Sequence, residues 1–93
     1  MKLTDILSQS NDVVAREVAG ELVLLHLASG LYFGLNSVGS CIWQSLEEED
    51  RSIASLCDVV CSEFDAPRAE VEEDVLALAT SLLDQGLVEL VQA

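Results

Sequence analysis

A strand that runs into a helix with no linker between them constrains this chain more than any other feature. The stretch Leu31 to Trp43, LYFGLNSVGSCIW, starts as a short aromatic and apolar run and turns into a helical pattern after Gly34-Leu35-Asn36-Ser37. Asn36 or Ser37 can cap that helix, because their side-chain oxygens accept from the unpaired amides of its first turn. Upstream, Glu21 to Leu27 reads as a second strand, joined to the first by Ala28-Ser29-Gly30, a three-residue hairpin loop. The unit is a hairpin feeding a helix.

Around it the chain divides into short elements. Met1 to Asn11 carries no strong pattern and reads as a loosely held arm before a single domain, 12–93. Val13 to Val18 is β-rich and turns at Ala19-Gly20 into the second strand, so that with Leu31 to Leu35 it completes a small antiparallel meander. Both faces of the second strand are apolar, and His26 marks the face it shares with Leu22 and Leu24 as the wetter one. In the third strand Leu31, Phe33 and Leu35 oppose Tyr32, and either face can meet the helices.

Four consecutive acids, Glu47 to Asp50, then interrupt the pattern as a solvent-facing loop. Ser52 is the N-cap of a second helix running to about Phe64. Pro67 suits the first turn of a third, which Gly86 ends as a left-handed stop. Leu87 to Val91 is a short strand or a tail. The core stripe of the third helix is Val71, Val75, Leu78 and Leu82, with Ala79 beside it. Leu76 and Leu83 lie about 100° round from that stripe, and Asp74, Ala77 and Ser81 form the other shoulder. The fold class is α+β: a three-stranded antiparallel sheet followed by three helices, winged-helix-like.

The three cysteines are core side chains on this pattern. Cys57 and Cys61 fall in the series Ile53, Leu56, Cys57, Val60, Cys61, Phe64, the inward stripe of an amphipathic helix. Cys41 sits likewise with Val38, Ile42 and Leu46. With His26 as the one histidine, no metal-ligand set and no nucleophile-base pair emerges, and no cofactor-binding motif is present.

The runs GELVLLHLASGLYFGLNSVGSCIW, SIASLCDVVCSEFD and AEVEEDVLALATSLLDQGLV together resemble the pyrroloquinoline quinone biosynthesis protein D family, over roughly 13–88. That family is the prototype of the RiPP recognition element, which binds the leader region of a ribosomally made precursor peptide. The resemblance implies a non-catalytic protein that holds the leader as an added strand between the third strand and the third helix. Leu31, Tyr32, Phe33, Gly34 and Leu35 would then meet the peptide together with residues of the third helix, Asp74, Leu76, Ala77, Ala79, Ser81 and Leu83. It also implies a second partner, a leader protease or another maturation enzyme. The hairpin is more similar to relatives in lasso-peptide synthesis, which work beside a cysteine protease and an ATP-dependent cyclase, than to those in quinone cofactor synthesis.

Charge argues against polyanionic partners. The formal net charge of −13, from 17 acidic and 4 basic side chains, repels nucleic acid and anionic lipid. The alternative is an acidic winged-helix protein-interaction or nucleic-acid-binding regulator, and its nucleic-acid-binding form would need cations on the reading helix, yet the third helix has Arg68 against five acids. No apolar run approaches the roughly 20 residues of a membrane span, and the start lacks the apolar core of a signal peptide, so the expected compartment is the cytoplasm. The residues assign no oligomeric state. At moderate salt the protein is expected to leave duplex DNA of any sequence unshifted in a gel, and a tight, salt-sensitive complex would contradict this reading.

Overall fold

The structure is a computed structural model that describes residues 1–91; positions 92 and 93, the end of the expected domain, lie outside the described residues. Its strands are β1 (Ile6–Gln9), β2 (Val13–Val18), β3 (Glu21–His26), β4 (Leu31–Leu35), β5 (Arg51–Ser52) and β6 (Val88–Val91). The helices are α1 (Ser37–Glu48), α2 (Ile53–Glu63) and α3 (Arg68–Asp84). Two three-stranded antiparallel sheets form, β2-β3-β4 and β5-β1-β6. The fold is α+β.

The meander has the expected strands. Ala19 and Gly20 both take positive φ, 54° and 83°, and join Val18 to its partner Glu21 in a two-residue turn whose twist matches that of the strands. The second hairpin closes over Leu27 to Gly30 rather than over three residues, with the Gly30 amide donating to the His26 carbonyl at 2.8 Å. Leu24 is fully buried and Leu35 nearly so, and Phe33 packs partly against the core from the same face. This corrects the expectation drawn from His26, since the face it shares with Leu22 and Leu24 is the one that meets the helices. His26 stands at the end of that face, where Ser29 hydrogen-bonds its Nδ1 and a Cβ at Gly86 would lie 3.4 Å from its Nε2.

Handover from strand to helix occurs at Asn36, whose Oδ1 accepts from the Gly39 amide at 2.8 Å. Helix α1 then buries Ile42, Trp43 and Leu46. The acidic run is split between elements: Glu47 and Glu48 finish α1, and Arg51 begins β5 while bonding the Ser45 carbonyl, the Ser55 hydroxyl and Glu48. Ser52 caps α2 through the Ser55 amide. Pro67 is the N-cap residue of α3, and Gly86, at φ +74°, ends that helix with its amide on the Leu83 carbonyl and that of Leu87 on Leu82.

The second sheet joins both ends of the chain. Within the stretch expected to be an arm, Ile6 to Gln9 pairs with Val88 to Val91. Leu7 is fully buried, and the Gln9 side chain donates to the Trp43 carbonyl at 2.9 Å. Four residues whose partner strands, β5 and β6, are both distant in sequence leave little local pattern, and the pairing itself defines the strand. Val88 and Leu87 are buried with Leu7, so the last segment is a strand and not a tail. Ala19→Asn, which supplies the Asn-Gly pair favoured at such turns, is expected to raise stability by about 0.5–1 kcal/mol in urea unfolding, since alanine tolerates positive φ poorly.

Candidate functional site

The β2-β3-β4 sheet leaves one edge of β4 unpaired among the described residues. Backbone alternation shows which groups it exposes. The Leu27 amide donates to the Asp12 carbonyl at 2.7 Å, across the β2–β3 ladder. Residues 21, 23, 25 and 27 therefore turn their amides and carbonyls to β2, and Leu22, Leu24 and His26 turn theirs to β4. Their partners Leu35, Phe33 and Leu31 are spent on β3, so the free edge of β4 offers the backbone groups of Tyr32 and Gly34.

Beyond the end of that edge, α3 and the start of α1 enclose an open cavity of about 470 Å³ lined by Asn36, Val38, Asp74, Ala77 and Leu78. The shoulder of α3 that faces it is thus the one carrying Asp74 and Ala77. Ser81 follows one turn later on the same shoulder and is exposed. Leu78 contributes to the cavity wall and is only half-buried, whereas Ala79 is 1% exposed and belongs to the core. Helix α3 is rotated slightly from the expected stripe, centring Val71, Val75, Ala79 and Leu82. A buried Ala79 presents nothing to a ligand.

Leu76 and Leu83 lie on the opposite shoulder, one and three turns after Glu72, which faces α2 through Arg68. Arg68 holds Asp58 of α2 as well, at the close range of a charge-assisted bond. The paired carboxylates, Asp58 foremost and then Glu72, hold the Arg68 guanidinium well above its usual pKa. Leu76 and Leu83 pack partly against the core there and are absent from the cavity lining. Leu31, though it faces inward, is 56% exposed at the beginning of β4.

Opposite the core, the sheet carries an apolar outer face. Val14, Val18, Val23, Leu25 and Tyr32 surround Arg16 on it, and Tyr32 is 71% exposed. Pairing in ranks puts Val14, Leu25 and Tyr32 in one row and Arg16, Val23 and Gly34 in the next.

The cysteines are distributed through the helices as free thiols. Burial raises the pKa of Cys57, and burial followed by the Glu63 carboxylate raises that of Cys41, which favours the thiol over the nucleophilic thiolate. Among the described residues no three His, Cys, Asp or Glu side chains gather as a metal site. No helix among them is long and apolar enough to cross a membrane.

Residues 21–88 match the family model described as coenzyme PQQ synthesis protein D, PqqD. The chain belongs to the PqqD family. Two solved structures share its fold closely. One, described as TbiB1 in complex with the TbiA(beta) leader peptide, is 39% identical with a TM-score of 0.80, the match covering 88% of this chain and 94% of that one. The other, a lasso peptide synthetase B1 complexed with the leader peptide, is 29% identical with a TM-score of 0.78, over 89% and 96%. No curated protein matches.

This PqqD-family edge separates two neighbouring prolines. Phe33→Pro removes a donor inside the β3–β4 ladder and is expected to cost about 1–3 kcal/mol, whereas Tyr32→Pro, whose amide faces the open edge, is expected to cost far less. Urea unfolding of the two variants measures the difference.

Proposed function

We propose that this protein is a non-catalytic recognition element that binds the leader peptide of a ribosomally synthesised precursor, and that it serves lasso-peptide synthesis. The observation that carries the reading is an unpaired β4 edge with an open cavity beyond its end, in a PqqD-family chain whose similar structures are described as complexes with leader peptides. An extended peptide added to β4 exchanges backbone hydrogen bonds with Tyr32 and Gly34 and sends alternate side chains to either face of the sheet. Those on the core side enter the groove walled by Asp74, Ala77 and Leu78. Backbone pairing supplies affinity, and the pocket supplies choice.

A binding protein of this kind delivers its cargo to a second protein, here a leader protease or another maturation enzyme. The outer face of the sheet suits that contact, being apolar, exposed and continuous with Tyr32 at the peptide-binding edge. Exposed acids on α3, Glu70, Glu73 and Asp74, favour the approach of a basic leader or a basic enzyme.

The reading is tested by titrating isotopically labelled protein with the leader encoded by the adjacent precursor gene. Amide shifts are expected along Tyr32 to Leu35 and at Asp74, Ala77 and Leu78. Leu78→Asp, which puts a charge into the groove, should weaken binding about tenfold or more, roughly 1.4 kcal/mol per decade. Leu76→Asp, on the α2 side, should lower stability and spare the affinity of the folded fraction. Shifts confined to other surfaces, or a folded Leu78→Asp variant that binds like the parent, would refute the assignment.

A further inference from the structure

Gly34 lies in the interior of β4, and its own structure gives no reason for a glycine. Its φ lies outside the left-handed region. The register runs unbroken from His26↔Leu31 to Leu22↔Leu35, so no bulge is present. A Cβ built at Gly34 would meet nothing within 4 Å, so no neighbour is too close to admit a side chain. A glycine within a strand costs backbone entropy and offers nothing to pack, and it commonly marks a place where a ligand or another backbone comes close. At Gly34 both its place on the edge and its missing side chain point outward from the protein.

The face is specified by the register. Gly34 pairs with Val23 and shares the outer face with Tyr32, two residues before it. The row Arg16, Val23, Gly34 therefore ends in an empty position at the free edge, floored by Val23 and bounded by the exposed Tyr32 ring. A strand added to β4 in either direction places one residue directly opposite Gly34, with its side chain on this same face.

We infer that Gly34 is a specificity-determining notch, in which a large apolar or aromatic side chain of the bound leader lies across the bare backbone, against Val23 and the Tyr32 ring. This rests on the reading of β4 as the leader-binding edge. It adds a subsite on the outer face, separate from the groove under α3, and gives that face a share in reading sequence. Aromatic side chains covering a glycine on a neighbouring strand are a known source of cross-strand stabilisation. In this protein the glycine and its cover would come from different chains.

The test couples both partners. A synthetic peptide of the leader encoded by the adjacent precursor gene, and its single-alanine variants, are titrated into the wild-type protein, Gly34→Ala and Gly34→Val. Both variants should melt at or above the wild-type temperature, because their side chains enter open space on a strand. Affinity for the parent leader should fall in order of size, with a loss of about tenfold or more at valine. One leader position, aromatic or large and apolar, should lose about tenfold on change to alanine against the wild type and nothing further against Gly34→Val. If the wild type binds the leader and Gly34→Val binds it within about twofold, or if no leader position shows this coupling, the notch is refuted and the edge reading stands. A wild-type protein that fails to bind the leader refutes both.

Discussion

The structure depends on the tight join at Asn36, where β4 ends and α1 begins. The Asn36 side chain closes the first turn by accepting from Gly39, and Gly39 itself lies so close to Leu35 that an added Cβ would stand 3.2 Å from the leucine Cδ2. The join allows one placement of α1, beneath the inner face of the meander, where Ile42 and Trp43 share a buried cluster with Leu24 and Leu35. Once α1 lies under the sheet, α3 is left beside the end of β4 and meets Asn36 and Val38 across an open cavity. The edge of β4 is bare because the chain continues from it into a helix and not into a fourth strand of that sheet.

Much of this was legible because it is local. The meander, the three helices, the caps at Asn36 and Ser52 and the stop at Gly86 each rest on a few adjacent residues. Less legible was anything decided by a partner distant in sequence. Ile6 to Gln9 becomes a strand by pairing with Val88 to Val91, and neither tetrapeptide announces the other. On α3 the apolar periodicity put Leu78 in the stripe and Ala79 beside it, and packing reverses the two. His26 misled as a marker of solvent because it ends its strand, where a polar ring reaches Ser29 without crossing the core. For the candidate site, the strand was legible and the shoulder of α3 was not. The outward backbone of Tyr32 and Gly34 needed the register of a ladder two strands away.

Charge acts on a different scale from these contacts. Arg51 is held by Glu48 and Glu49 and Arg68 by Asp58 and Glu72, so two of the 4 basic side chains are engaged with acids of their own chain. The acidic surplus is consequently uncompensated and is carried mostly by the helices and the segments between them, while the outer face of the β2-β3-β4 sheet is apolar around Arg16. Such a distribution keeps copies apart at long range and leaves short-range association to partners of opposite sign.

Pairing of β1 with β6 gives the fold an order of assembly. The β2–β3 hairpin closes across two residues, whereas pairing of β1 with β6 closes a loop that contains nearly the whole chain, a closure that costs less entropy once β5, the helices and the meander have drawn the two strands together. Strand β1 also pairs with β5, with Leu7 opposite Arg51, so Leu7 can reach the core before β6 is added, and β6 works as the latch that completes the sheet. A nascent chain would hold its hairpin and α1 before the latch exists.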